Sequence, residues 1–380
     1  MNPATKVTPM SRENWAMLID QLGPGFAERA AQHDSEDSFV ADNYARLKAA
    51  RVFSAGVPEE FGGGGASHAE LGEMLRRLAH HCGSTALALS MHTHTVMTTV
   101  WRWRHDKAPM DKLLKRIADE QLVLTSSGGS DWLQGSGKAV PVEGGYRVSG
   151  RKIFASGSPA GKLLMTSAVL ETEGRAPEVL HFGLPLDAPG IKVHDNWRTL
   201  GMRGTGSNDV TIEDVFVADA AVGVRRPQGV WSHLFHVVFS NAMPLVYSVY
   251  LGIAEAARDL AVKTVARKRE DRNVQMLIGE MENELTTVRL VVAQMMEVAK
   301  HPRLDLETTN EMVILRTLAG QHAIRTVEKA LEAVGGQGYF RASALERHFR
   351  DIQAARFHPL TEKPQLMHTG RAALGLDVNG

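Results

Sequence analysis

The densest group of side chains able to do chemistry is His80, His81, Cys82, His92 and His94. Neighbouring residues on a helix point about 100° apart, and the chain has no HExxH or CxxC spacing. These read as helix-face or core histidines, and no metal site is expected. The glycine-rich strings FGGGGAS, GMRGTGSN and GGQGYF lack the Lys and Ser or Thr ending of a phosphate-binding loop. None opens a helix after a strand with an acidic residue later on, so a dinucleotide on a Rossmann sheet is not expected either. No GxSxG elbow proposes a hydrolase. TSSGGSD at 125–131 has small residues that expose backbone N–H groups and the hydroxyls of Thr125, Ser127 and Ser130. Such a loop can bind an oxygen-rich or phosphate-bearing ligand, or form an ordinary β turn. In KIFASGS, strand alternation predicts Phe154 and Ser156 on one face, an aromatic and a hydroxyl for one ligand; Phe154 reads equally as core. Arg203 in GMRGTGSND is an anion contact or the partner of an acid such as Asp209.

Two kinds of element must position these groups. Apolar residues three and four apart, as in Leu71, Met74, Leu75 and Leu78, predict helices from about Trp15 to Ile117, interrupted by VPEEFGGGG. Short alternating segments such as Tyr146 and Val148, or Val210 and Ile212, predict strands from about Leu122 to Ala221. After Pro227 a stripe of Val274, Leu277, Met281, Leu285, Val288, Val292 and Met295 marks a bundle seam. The expected fold is α+β: an N-terminal helical domain over 1–120, a central β domain over 121–225 and a C-terminal helical bundle over 226–380. Lys plus Arg and Asp plus Glu each number 43, so no global field draws the chain to nucleic acid or anionic lipid. The lone cysteine excludes an internal disulfide framework and fits a reducing compartment. With no signal-like start and no run of eighteen apolar residues, the expectation is a soluble cytoplasmic protein without nucleic-acid or membrane partners.

Read in order, VPEEFGGGG at 57–65, TSSGGSD at 125–131, GRKIFASGS at 150–158, LGMRGTGSNDVTIEDVFV at 200–217 and GGQGYFRASALERHFRD at 335–351 resemble the acyl-CoA dehydrogenase superfamily. The resemblance implies a flavoenzyme acting on a small molecule, assembled as a homodimer or homotetramer with flavin near subunit contacts. It implies that Thr125, Ser127, Ser130, Phe154 and Ser156 surround the flavin ring and ribityl chain, with the Ser156 hydroxyl near N5 or O4. Gly335 and Gly336 would lie against a neighbour's cofactor.

The chain departs from the dehydrogenase pattern in two places. A dehydrogenase needs a base next to the thioester, in the familiar pattern a glutamate eight residues after the Arg-Asp pair. Counting from Asp351 reaches Pro359, and Glu255 in the first bundle helix is the remaining carboxylate to consider. His358, seven residues after Asp351, resembles the flavin-dependent monooxygenase branch, which includes dibenzothiophene monooxygenase-like and aminosugar N-oxygenase enzymes. Those enzymes use reduced flavin and dioxygen, and a histidine beside the flavin can hydrogen-bond the flavin peroxide or accept a substrate proton. His358 could also simply cap the preceding helix. His92, in SMHTH, lies where the family's N-terminal helices approach the active site and is a second candidate. The second departure is Glu332, where dehydrogenases commonly carry a glutamine facing the FAD pyrophosphate; the chain also lacks their Arg-Phe-Gly. FAD and FMN both remain open. The expectation is a monooxygenase using His358 and Ser156, supplied by a separate flavin reductase. The alternatives are an acyl-CoA dehydrogenase with a non-standard base, which would pass electrons to an electron-transfer flavoprotein, and a non-catalytic ligand-binding member of the fold.

Overall fold

A computed structural model of the chain describes residues 12–380. The first stretch is helical: α1 (Arg12–Glu36), α2 (Ala41–Ala49), α3 (His68–His81), α4 (Gly83–His105) and α5 (Asp111–Glu120). Local chemistry sets where α3 begins. The Ser67 hydroxyl accepts from the Glu70 N–H, and the Glu70 carboxylate accepts from the Ser67 N–H at 2.8 Å, so two helix-end donors are satisfied reciprocally. Leu71, Met74, Leu75 and Leu78 are fully buried, as their spacing predicts.

Strands begin at Leu124: β1 (Leu124–Ser126), then the short helix α6 (Gly128–Asp131), β2 (Lys138–Val142), β3 (Gly145–Ala155), β4 (Leu163–Leu170), β5 (Glu178–Pro185), β6 (Ile191–Val193), β7 (Asn208–Ala218) and β8 (Val224–Pro227). They form one sheet in the order β6-β7-β3-β2-β4-β5-β8, with β1 added parallel to β4. β2 and β3 are joined by a tight turn in which Gly144 takes a φ of 74°, a conformation that costs glycine no steric clash. Tyr146, Val148, Val210 and Ile212 point inward as their alternation predicts, and with Leu164 and Leu180 they make the sheet's own core.

The remainder is helical: α7 (His233–Val265), α8 (Arg272–Ala299), α9 (Leu306–Val334), α10 (Ala344–Ile352) and α11 (Glu362–Ala373). Asp271 caps α8, and Asp305 with Thr308 forms a capping box at α9. α7 is apolar enough to span a membrane, yet 94% of its most apolar window is buried inside the protein, so it is a core helix. Leu75 and Leu78 of α3 share one core with Tyr247 and Ile253 of α7, Met281 of α8 and Val327 of α9. The early and late helices therefore stiffen one another, and the sheet is held against their common body.

Candidate active site

Between the sheet, α4, α7 and the segment after α10 lies a cavity of about 800 Å³. Ser126, Ser127, Gly128, Gly129, Phe154 and Ser156 line its sheet side, and His94, His358 and Pro359 line it from the helices. The expected alternation of Phe154 and Ser156 is corrected here. The β3–β7 register shifts between Lys152 and Ala155, Phe154 takes a φ of 59°, and the Ser156 N–H donates to the Phe154 carbonyl at 2.9 Å. A bulge, not a regular strand, brings both residues to the cavity. The Phe154 ring meets Trp197 edge-on at 5.8 Å. The Ser156 hydroxyl pairs with that of Ser207 at 2.8 Å, and Ser207 with that of Thr205 at 2.7 Å.

The TSSGGSD loop divides its residues. A Cβ added at Gly128 or Gly129 would meet nothing within 4 Å, so both backbones are open. Thr125 does not line the cavity; it is fully buried, and its hydroxyl donates to the Leu163 carbonyl at 3.3 Å. The side chain of Ser130 lies outside the described residues. Ser127 lines the cavity, but its hydroxyl donates to Asp131 at 2.7 Å. Asp131 also accepts from Lys152 Nζ at 2.6 Å, from Ser167 at 3.3 Å and from Ser136. Lys152 is 1% exposed, and burial pulls its pKa down while Asp131 opposes that shift. This buried pair under the loop was missed from sequence. Its signal was a lysine, Lys152, falling on the inward positions of β3 that Tyr146 and Val148 mark two residues apart.

His358 lines the cavity, and its Nε2 lies 2.5 Å from the Tyr250 hydroxyl. Burial, then the charge of Arg316 and the nearby His94, hold His358 down to about 3, so it is neutral at ordinary pH. Burial pushes Tyr250 well above its ordinary 10, so the phenol keeps its proton and donates it to Nε2. The imidazole proton is therefore on Nδ1, which has no partner among the described residues. Arg316 Nη2 donates to the carbonyls of Ala355, Arg356 and His358 at 3.1, 3.2 and 2.7 Å, pinning the segment.

His92 does not reach the cavity, a correction to the expectation that it faces the site. Its Nε2–H donates to the Phe53 carbonyl at 2.7 Å and its Nδ1 accepts from the Leu124 N–H at 3.0 Å, so both nitrogens tie α4 to the backbone around it. Of the two α4 histidines, His94, two residues on and about 200° around the helix, is the one that lines the cavity. Its Nδ1 is buried without a partner among the described residues, and burial lowers its pKa to about 4. Glu255 is held away from the cavity by Arg76 at 2.5 Å and Arg289 at 2.9 Å. Among the described lining residues the one carboxylate is Asp131, already committed to Lys152.

Arg203 lies outside the cavity, 3.6 Å from Asp37 and 4.0 Å from Asp34, and donates to the Thr199 carbonyl at 2.9 Å. Asp209, one partner its sequence suggests, instead accepts from Arg151 at 2.7 Å. Gly335 and Gly336 border a separate surface groove with Glu332 and Tyr339, and within one chain they do not reach the cavity.

The open glycine pair, the aromatic bulge and the buried His94 Nδ1, partnerless among the described residues, suit a planar ring system with polar edges, as a flavin has. The N-terminal, middle and C-terminal domain families of acyl-CoA dehydrogenase match residues 24–120, 125–215 and 245–363. The amino sugar nitrososynthase RubN8 of Streptomyces rubradiris is 28% identical over 382 residues, covering 96% of this chain and 90% of that protein. The putative acyl-CoA dehydrogenase YdbM of Bacillus subtilis is 26% identical, covering 92% and 93%. The solved structure of KijD3 in complex with FMN and dTDP-3-amino-2,3,6-trideoxy-4-keto-3-methyl-D-glucose superposes with a TM-score of 0.87 at 25% identity, covering 97% of this chain and 95% of that one. With three consecutive domain families spanning most of its length, the chain belongs to the acyl-CoA dehydrogenase family, whose relatives at this distance include nitrososynthases as well as dehydrogenases.

Proposed function

We propose that the protein is a flavin-dependent monooxygenase that uses reduced flavin and dioxygen to oxidise a small organic substrate. One observation carries the reading: among its described lining residues the cavity offers neutral histidines, His358 and His94, and no uncommitted carboxylate. Removing a proton beside a thioester needs such a base. Pro359 occupies the position of the familiar glutamate, and Glu255 is bound to two arginines. The flavin of this family supplies the electrons for the reaction. Its ring would be held by the backbone of Gly128 and Gly129, by Phe154 and by the hydroxyls of Ser126 and Ser156.

The residues of this chain then do three things. Tyr250 fixes the His358 tautomer, so Nδ1–H is a standing donor toward the reacting centre and not a titrating acid. Lys152 and Asp131 hold the glycine loop from beneath, because Asp131 fixes both α6 and the Ser127 hydroxyl. The mostly apolar walls limit water. In this reading the division at residues 120 and 225 assigns one wall of the cavity to each of three units. A separate flavin reductase supplies reduced flavin, and a second copy of the chain covers the exposed Tyr339 and Phe340 beside Gly335 and Gly336. Oxygen-dependent product formation with FMN or FAD, a flavin reductase and NADH, over a panel of amines and aromatics, tests the reading. It is compared with dye-linked oxidation of an acyl-CoA panel. Turnover of an acyl-CoA without oxygen, with no oxygen-dependent product, would return the chain to the dehydrogenases.

A further inference from the structure

One part of the cavity presents hydrogen-bond donors with little to receive them. Thr98 and Arg102 lie one turn apart on α4 and share a face, and both line the cavity together with His181 of β5 and Trp132. Thr98 Oγ1 and Trp132 Nε1 are buried without partners among the described residues. Arg226 Nε donates to His181 Nε2 at 2.9 Å. A guanidinium can only donate, so Nε2 carries the lone pair and the imidazole proton is fixed on Nδ1. Nδ1 itself has no partner among the described residues. Gly223 joins the two main groups: its N–H donates to the His181 carbonyl at 2.9 Å, and its carbonyl accepts from Arg102 Nη2 at 3.5 Å. That long bond and the Asp106 carboxylate, 3.9 Å from Nε, are the guanidinium's polar contacts among the described residues, and its side chain is 19% exposed. The other oxygen of Asp106 is held by His233 at 2.9 Å. A largely buried cation with contacts this loose is under-compensated.

We infer that this part of the cavity is a subsite for an anionic group of the substrate, a carboxylate or a phosphate, paired with Arg102 and oriented by His181 Nδ1–H. The inference rests on this cavity being the substrate site proposed above. Elsewhere the cavity wall includes Met91, Phe182 and Val238, which suit a non-polar body attached to that anion.

The test is equilibrium binding of benzoate, phenyl phosphate and benzamide to the FMN-supplemented protein, by calorimetry at constant ionic strength. One anion is expected to bind at least about tenfold more tightly than neutral benzamide, the scale of a charge-assisted pair. Whether that anion is benzoate or phenyl phosphate assigns the group. Arg102→Met is expected to abolish the preference and leave FMN affinity unchanged. Should that variant fail to fold, Arg102→Lys, which keeps the charge but not the fork, is expected to retain part of the preference. In the unaltered protein, added salt is expected to weaken the anion and not benzamide. Three outcomes would overturn the subsite: no binding of either anion at millimolar concentration, a preference that survives Arg102→Met, or an equal loss of FMN affinity, which would give Arg102 to the cofactor phosphate. Because the readout needs no turnover, an intact anion preference without oxygen-dependent product would remove the monooxygenase reading and leave the subsite.

Discussion

Replacing His92 with Gln distinguishes a structural histidine from a catalytic one. His92 is 2% exposed, held between the Phe53 carbonyl and the Leu124 N–H, and burial lowers its pKa to about 4. In the unfolded chain a histidine titrates near about 6.5. The folded pKa is the lower one, so the unfolded state takes up a proton first as pH falls. The stabilisation is complete above pH 6.5 and is lost progressively between 6.5 and 4. At about 1.4 kcal/mol per pH unit, His92 alone costs roughly 2 kcal/mol of stability by about pH 5. His348, 7% exposed and lowered to about 3 by burial, acts in the same direction. Asp351, raised to about 6 by burial, acts in the opposite one, since its folded form gains a proton first. The cavity-lining His94 and His358 meet water when no ligand is bound and count for less. Urea unfolding of both proteins, followed by tryptophan fluorescence from pH 7 to pH 5, reads the difference directly. His92→Gln is expected to be the less stable protein at pH 7, with the gap narrowing by about 2 kcal/mol at pH 5 and turnover changed only a few-fold. A gap that stays constant with pH, or a hundredfold loss of turnover in a folded variant, would refute the assignment.

His358→Ala is expected to lower oxygen-dependent turnover by about 10²-fold or more, the scale of losing one fixed donor at the reacting centre, with flavin affinity by fluorescence titration nearly unchanged; a smaller loss would make His358 only the packing partner of Tyr250. Lys152→Met leaves the Asp131 carboxylate buried with hydroxyl donors alone, and is expected to cost about 3 kcal/mol in urea unfolding. Lys152→Met combined with Asp131→Asn is expected to regain more than half of that, and no recovery would mean that the pair is not what the loop depends on. Light scattering at micromolar protein is expected to give a dimer or tetramer, because Tyr339 and Phe340 are 83% and 69% exposed beside the GGQGY turn. A monomer with flavin bound and activity intact would remove the proposed role of Gly335 and Gly336.

The helices and strands were legible because each rests on a local period: Leu71, Met74, Leu75 and Leu78 at helical spacing, Tyr146 and Val148 at strand spacing. The cavity was legible only in part. Phe154 and Ser156 both reach it, as alternation implies, but through a bulge and not a regular strand, and a bulge is fixed by pairing with β7 rather than by the residues of β3 alone. His92 and His94 lie in one string, SMHTH, which does not tell them apart. Which of two residues some 200° apart faces the cavity depends on how α4 is rotated against α7, and that is settled by distant packing. Arg203 paired with Asp34 and Asp37 instead of Asp209 for the same reason. The Lys152–Asp131 pair bridges residues 21 apart through a sheet and a one-turn helix, and no local pattern connects them.

The protons in and around this cavity are assigned by neighbours that do not themselves titrate near neutrality. Leu124 N–H and the Phe53 carbonyl fix His92, the Tyr250 phenol fixes His358, and Arg226 fixes His181. Burial lowers all three histidines to about 3 or 4, so none is an imidazolium at pH 7 and each presents one defined donor. A site built this way holds hydrogen bonds in place without exchanging protons with the solvent. Abstraction of a carbon-bound proton calls for a stronger and better exposed base than these groups provide. Orienting a polar reactant among fixed donors while excluding water is within their reach, and that is what the monooxygenase reading proposed above asks of them, with flavin and dioxygen supplying the reactivity.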